Sequence, residues 1–411
     1  MEDCENVGPV ERPRPAVYDP AFTQETAMQP DVEAMLVRRV LAHLERRTTD
    51  TAAAPSTIPV AAYTGEGQHE RERVRLFREL PLAIGHASQL AAPGDFFTHD
   101  AAGAPLLAVR TDEGGVAVYL NVCRHRGTRV EPAACGQRKA FVCPYHAWSY
   151  GRDGRLIGVP HPEGFAGVAP EGRGLVRVPA GVAAGLLFVK PRPVGDGEPA
   201  ELDAELAAWL GPLAHDLEGF GCAAGHVYAP RTVTRALSWK LSIDVFLEAY
   251  HVRPAHRTSI YPMFFDNVGL VDPIGPHLRN VFPKRSIREL AGRPEAEWSL
   301  RPHANVLFHL FPNTLILVEP DHAAVLHIWP DGPARTVLTS YTLVPEPPAT
   351  DKARAYWDAN NAILYGAVDE DFAMGESIQR GLHAGANREL VFGAFEHALA
   401  HFHHQIELRT A

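Results

Sequence analysis

Apolar and polar positions along this chain follow one period and then another, and the changes divide it. The run Val32-Glu33-Ala34-Met35-Leu36-Val37-Arg38-Arg39-Val40-Leu41-Ala42-His43-Leu44 spaces its apolar residues as a helix does, with Asp31 as the N-cap. Before it, residues 1 to about 30 are rich in proline and acidic side chains and have no period, which predicts a flexible arm. Thr48 to Thr64 reads as a linker. From about 80 to 190 short alternating strands follow, punctuated by the turn signals Asp112-Glu113-Gly114-Gly115 and Asp153-Gly154 and ending in Leu186-Leu187-Phe188-Val189. The stretch Pro191-Arg192-Pro193-Val194-Gly195-Asp196-Gly197 marks a boundary. Beyond it come a helical segment near 200–213 and a strand from Val227 to Leu237 interrupted at Pro230. Leu315 to Glu319, Ala323 to Trp329 and Thr336 to Val344 then form three successive strands, with turns at Asp321-His322 and Asp331-Gly332, as in an antiparallel meander. Leu390 to Ile406 predicts a last helix that buries Phe395, Leu399 and Phe402. No internal repeat is present.

Composition narrows the class. At 411 residues the chain exceeds the usual single core, so two domains are expected. A net charge of −10, from 39 basic and 49 acidic residues, argues against a nucleic-acid or anionic-membrane partner and suits a redox partner with a basic docking face. No stretch approaches a membrane span, and Glu2, Asp3 and Glu5 do not fit a signal peptide, so a cytoplasmic protein is expected. Of five cysteines, Cys4, Cys135 and Cys222 read as incidental reduced thiols.

The other two cysteines carry chemistry. Cys123-Arg124-His125-Arg126-Gly127 is followed by Cys143-Pro144-Tyr145-His146, with seventeen residues separating His125 from Cys143, so two loops each offer a thiolate and an imidazole. Apolar residues lead into both, as if each loop capped a hairpin. Thiolates suit one iron of a two-iron cluster, and imidazoles on the other leave less negative charge and raise the potential, which is what a Rieske centre requires. Structural zinc is the competing use of such a set, although zinc fingers usually keep their cysteines in one short unit and their histidines in another. Later, Glu248 and His251 are spaced to share a helix face, and Pro254 should end or kink that helix so that His256 approaches from elsewhere. Two imidazoles and a carboxylate suit a non-haem Fe(II) site with open positions for dioxygen. A solvated helix face is the plainer reading of Glu-x-x-His taken alone. Among His397, His401, His403 and His404, no carboxylate stands at zinc-protease spacing, so these read as surface or interface histidines.

Together these motifs resemble the catalytic (alpha) subunit of Rieske non-haem iron oxygenases, the aromatic ring-hydroxylating family, over roughly residues 70–405. Trp239-Lys240-Leu241 and Glu370-Asp371-x4-Glu376-x2-Gln379-Arg380-Gly381 add to the match. The resemblance implies an α+β chain: an N-terminal arm and helix over 1–64, an all-β Rieske [2Fe-2S] domain over 65–195, and a helix-grip catalytic domain over 196–411, whose curved antiparallel sheet holds a long C-terminal helix at Leu390–Ile406. It implies a cluster on Cys123, His125, Cys143 and His146, and a mononuclear Fe(II) on His251, His256 and a carboxylate from the run Asp369-Glu370-Asp371. Asp371 is the choice, because apolar Phe372, Met374 and Ile378 suggest a helix laid on the core; Asp369 stays open. Glu248 then becomes a bridge between a cluster histidine of a neighbouring subunit and a histidine of the iron site. Where the family often has Asn-Trp-Lys and Glu-Asn, this chain has Ser238-Trp239-Lys240 and Asp244-Val245, and Ala147 replaces a usual glycine.

Activation of dioxygen needs two electrons beyond those of the substrate, and the cluster stores one. The chain has neither a plant-type Cys-x4-Cys-x2-Cys run nor a Gly-x-Gly-x-x-Gly after a strand, so a separate NAD(P)H-dependent reductase or ferredoxin is implied. The resemblance further implies a homotrimer and a small organic substrate, hydroxylated or oxidatively dealkylated. Phe246 and the run Ile260–Phe265 are candidate pocket positions, and the C-terminal pattern resembles oxygenases of quaternary ammonium or substituted aromatic compounds. The alternative is a Rieske electron-transfer protein without oxygenase activity.

Overall fold

The computed structural model describes residues 28–411 except 196; most of the expected arm therefore lies outside the described residues. The first helix is Pro30–Arg46 and starts two residues earlier than predicted. Pro30 has no N–H to leave unpaired and a φ preset for the helix, so Asp31 falls in the first turn instead of at the cap. Arg39 ties this helix to Asp50 and Asp272, each at 2.6 Å. The expected linker is structured: Ser56–Pro59 pairs antiparallel with Glu389–Phe392, and Ala61–Thr64 is a helical turn.

The β-rich half holds a five-stranded antiparallel sheet and two three-stranded ones. The predicted turns fall between strands, with Gly114 and Gly154 at φ 82° and 79°. At Gly154 a Cβ would come within 2.5 Å of the Tyr119 ring, so only glycine fits.

The second half is a seven-stranded antiparallel sheet in the order His226–Arg235, Thr336–Val344, Ala323–Pro330, Thr314–Val318, Ala304–Leu310, His277–Pro283, Leu270–Ile274. The break at Pro230 is a bulge: the register shifts between Tyr228 and Arg231, where proline has no N–H for the ladder. The long helix is not where it was expected. It spans Asp351–His383, 33 residues, whereas Leu390–Ile406 divides into the strand Glu389–Phe392 and the shorter helix His397–Thr410. The strand forms because Ser56–Pro59 offers it a backbone partner.

The two halves share one apolar core, in which Leu106 and Val118 belong to the same cluster as Trp239, Phe372 and Phe402. Across this seam Lys240 pairs with Glu72 of the helix Glu66–Arg75, both buried, and Trp239 Nε1 donates to Glu72 Oε2 at 2.9 Å. His99 of the β-rich half meets Trp329 of the large sheet edge-on, with ring centroids 4.8 Å apart. Among the described residues no helix is long and apolar enough to cross a membrane.

Candidate active site: a His-His-Asp trio beneath a cavity and a pair of Cys/His loops

The strand His226–Arg235 leads into the helix Trp239–Asp244, whose first turn leaves backbone N–H groups without helical partners. Ser238 Oγ accepts the Leu241 N–H at 3.3 Å. Glu376 and Gln379 of the long helix accept those of Ala236 and Ser238, at 3.1 and 2.8 Å, which gives the Glu-x-x-Gln motif a structural purpose. Asp244, at the helix end, accepts hydrogen bonds from Tyr63 at 2.7 Å and His403 at 3.0 Å. His403, expected as a surface or interface histidine, is buried and bonded to Asp244, whereas His404 is exposed.

Glu248 and His251 do not share a helix. The first helix stops at Asp244 and a second, Val252–Ala255, starts after His251; Pro254 lies in the first turn of that second helix, where its missing N–H is harmless. The Glu248 carboxylate turns back to accept the N–H groups of Tyr250 and His251 and to meet His251 Nδ1. One turn of helix later, His256 faces the same point. Asp371 Oδ1, from the long helix, lies 2.8 Å from His256 Nε2 and 3.3 Å from His251 Nε2. An ion held at about 2.1 Å through adjacent octahedral positions keeps its ligand atoms about 3 Å apart, so the trio fits a metal bound on one face.

Both imidazoles are oriented from behind. Glu248 holds Nδ1 of His251; Glu370 holds Nδ1 of His256 at 2.6 Å and is itself held by Ser259 Oγ at 2.7 Å. Each ring therefore presents Nε2 toward Asp371. Burial lowers the His251 pKa, but hydrogen bonds to Asp371 and Glu248 outweigh it and push the value up to about 10. For Asp371, burial raises the pKa and the two histidines more than reverse that. The same negative potential favours a divalent cation. Asp369 points elsewhere, pairing with Arg235 and lying 3.8 Å from Arg231. Of the residues expected to lay this helix on the core, Phe372 is buried, but Met374 and Ile378 are 55% and 41% exposed.

In the other half, Cys123 and Cys143 are buried at the bases of their loops. The second loop caps the hairpin Phe141–Val142/Ser149–Tyr150, as expected. The first does not cap a hairpin: it joins Val116–Leu120 to Cys135–Gln137, which pair with other strands. Its own turn is closed by Gly127 N–H to Cys123 O at 2.9 Å, with Gly127 at φ 81°. The rings of His125 and His146 have centroids 4.7 Å apart, His125 stacks on Trp148, and Tyr150 Oη lies 3.3 Å from Cys123 Sγ. His125 Nδ1 is buried with no hydrogen-bond partner, the state of a ring nitrogen that awaits a metal. Among the described residues only His251, His256 and Asp371 come close enough for three such side chains to share one ion, so the Cys/His loops suit a two-iron cluster better than a single zinc.

Above the trio lies a cavity of about 460 Å³, within the roughly 300–1,000 Å³ of small-molecule sites. Of the expected pocket positions, Phe246, Ile260, Met263, Phe264 and Phe265 line it, whereas Tyr261 and Pro262 do not.

Comparison with known proteins covers both halves of the chain. Residues 81–173 match the Rieske [2Fe-2S] domain and residues 223–410 the ring hydroxylating alpha subunit (catalytic domain), together about two thirds of the chain. The chain belongs to the Rieske ring-hydroxylating oxygenases. It is 27% identical over 365 residues to the carnitine monooxygenase oxygenase subunit of Escherichia coli (strain K12), covering 84% of this chain and 92% of that protein. It is 28% identical over 275 residues to the chlorobenzene dioxygenase subunit alpha of Cupriavidus sp. (strain PS12), covering 66% and 57%. A crystal structure of a quaternary ammonium Rieske monooxygenase with L-carnitine superposes with a TM-score of 0.73 at 20% identity, covering 86% of this chain and 96% of the other. The α+β architecture is that of Rieske oxygenase alpha subunits, and the cofactors are a Rieske [2Fe-2S] cluster and a mononuclear iron. This Rieske oxygenase is therefore an enzyme, and the reading as an electron-transfer protein alone falls away.

Proposed function

We propose that this chain, divided at about 64 and 195 into N-terminal segment, Rieske domain and catalytic domain, is the oxygenase subunit of a multicomponent system. It hydroxylates or oxidatively dealkylates a small substituted aromatic or quaternary ammonium compound with O2. Electrons come from a separate NAD(P)H-dependent reductase or ferredoxin, since the sequence carries no dinucleotide or plant-type ferredoxin motif. Cys123, His125, Cys143 and His146 hold the cluster; His251, His256 and Asp371, in preference to Asp369, hold the iron. When bound, the cluster supplies single electrons and the iron a place for dioxygen beside the substrate. The convergence of the trio beneath an apolar cavity carries this reading.

The residues around the metals keep them in working order. Glu248 and Glu370 fix the tautomers of His251 and His256, so both rings offer Nε2 to the same point. Apolar side chains from Val245 to Phe265 keep bulk water off the reacting carbon. A homotrimer, in which Glu248 of one subunit bridges to a cluster histidine of the next, is supported by apolar groups exposed near both sites: Tyr250 at 55%, and Val142 and Tyr145 at 53% and 54%.

Purified anaerobically, the protein should contain about three irons per chain, two in the cluster and one alone. His251→Ala should keep the visible Rieske absorption and lose product formation; full turnover by that variant would sink the assignment.

A further inference from the structure

The cavity is long as well as apolar. One face of the helix Asp351–His383 lines it through Tyr356, Asn360, Ile363, Leu364, Val368 and Asp371, which recur at the spacing of a single helix face. Tyr356 and Asp371 are fifteen positions apart, so roughly 22 Å separates the two ends of this lining along the helix axis. The His-His-Asp trio closes one end. At the other, the turn Pro320-Asp321-His322 between the strands Thr314–Val318 and Ala323–Pro330 lines the cavity facing Tyr356.

That far end holds a second constellation of polar groups, which the trio does not use. Tyr356 Oη donates to Asp321 Oδ2, and His322 Nδ1 lies 2.8 Å from Asp321 Oδ1. Burial raises the Asp321 pKa, but hydrogen bonds from His322 and Tyr356 more than reverse that, so the group is a carboxylate and can only accept. The shared proton therefore belongs to Nδ1, and in the neutral ring Nε2 is left as an acceptor. His322 lines the cavity with 7% of its surface accessible, and its ring meets Trp357 edge-on at 5.5 Å. Nε2 has no hydrogen-bond partner among the described residues, yet it is not enclosed as Asn305 Oδ1 is, so it belongs to the part of the residue that stays open. Asn360 repeats the pattern: Nδ2 donates to the Tyr356 carbonyl at 3.0 Å, and Oδ1 is unpartnered among the described residues and not enclosed. The neighbouring polar groups are occupied, Asn305 Nδ2 with Glu319 Oε1 at 2.8 Å and Lys284 Nζ with Glu319 Oε2 at 3.4 Å.

An imidazole gripped by a carboxylate, and packed against an indole, cannot turn to seek a partner; it waits for one. Between it and the trio the lining is apolar, with Phe246, Phe282, Leu307 and Leu317 facing the helix residues. A ligand donor beside the reacting carbon gains nothing from His322, whereas one carried at the other end of a long molecule does. We propose that the far end is a second recognition site, where His322 Nε2, with Asn360 Oδ1, accepts a hydrogen bond from a hydroxyl or protonated amine borne by an elongated substrate at the end remote from the oxidised carbon. The proposal rests on the oxygenase reading for which end reacts, and it adds a length and a distal donor to either substrate class left open there.

The test is calorimetric binding to the oxidised, iron-loaded full chain of two alcohols, 2-phenylethanol and 8-phenyloctan-1-ol, each against its methyl ether, and of 8-phenyloctylamine against its N,N,N-trimethyl derivative. The long alcohol, the long amine or both should bind about tenfold tighter than the matched compound without a donor, the worth of one buried hydrogen bond, and which of them does so names the donor. The short alcohol and its ether should bind alike, because neither reaches His322. His322→Phe should bring the long pairs level. The probe comparison in the unaltered protein stands even if that variant does not fold. Level binding within both long pairs, an alcohol advantage that is the same at both lengths, an advantage that survives His322→Phe, or no binding of any probe overturns the proposal. Iron content and the visible spectrum of the same samples judge the oxygenase reading separately, because neither depends on which probe binds.

Discussion

Asp371 and Asp369 lie two positions apart on one helix, yet they meet opposite environments. Asp371 faces two imidazoles in a buried site, and Asp369 faces two arginines at the surface. Asp371→Asn should lower iron from about three to about two per chain, with the cluster absorption intact, while Asp369→Asn keeps all three; iron and sulfide analysis of both variants checks this. Ala147 follows His146 at φ 59°, a conformation that strains any side chain with a Cβ. Ala147→Gly should therefore stabilise the loop by about 1 kcal/mol, read as a higher urea midpoint. At this scale the proximity of His125 to His146 and of His251 to His256 was legible in the sequence, because short spacings bring them together locally. Glu370 was not. Its partner His256 is 114 positions away, and nothing in an acidic run tells which carboxylate turns toward an imidazole.

The long helix shows why elements are read less well than motifs. Its buried positions include Trp357, Asn361, Val368, Phe372, Gly375, Gln379 and Leu382, which keep helical spacing, but Asn, Gly and Gln stand where a periodicity reading looks for large apolar residues. They are polar or small for cause: Gln379 caps the Ser238 N–H, and Gly375 lets Leu237 approach. The Leu390 to Ile406 segment was more apolar and took the prediction, although part of it is a strand that only a partner 330 residues earlier reveals. The Lys240–Glu72 pair joins two such elements in a nearly dry site, where burial lowers the lysine pKa. Lys240→Met should cost about 3–5 kcal/mol by leaving Glu72 unpaired, and the double variant Lys240→Met/Glu72→Leu should recover much of it; urea unfolding of the set decides.

Across the whole molecule, several histidines are held neutral by the core. Burial lowers His99 and His277 to about 4, and His309 and His327 to about 3. In the unfolded chain each titrates near 6.5, so as pH falls below that value the unfolded state takes up protons that the native state refuses. Their contribution is complete above about pH 6.5 and is lost as pH falls toward 4. Between pH 7 and 5.5 each should cost about 1 kcal/mol, visible as a melting temperature that declines steeply with acid; a flat profile would show that these rings are solvated. His99 and its neighbour Trp329 lie on opposite sides of the seam between the halves, where Leu106 and Val118 pack in one cluster with Trp239 and Phe402. A fragment carrying only the sulfur-bearing loops would turn that shared surface to water. The electron store therefore cannot be excised to work as a free-standing carrier, and evolution or engineering can swap it between enzymes only together with the strands and helix ends it leans on.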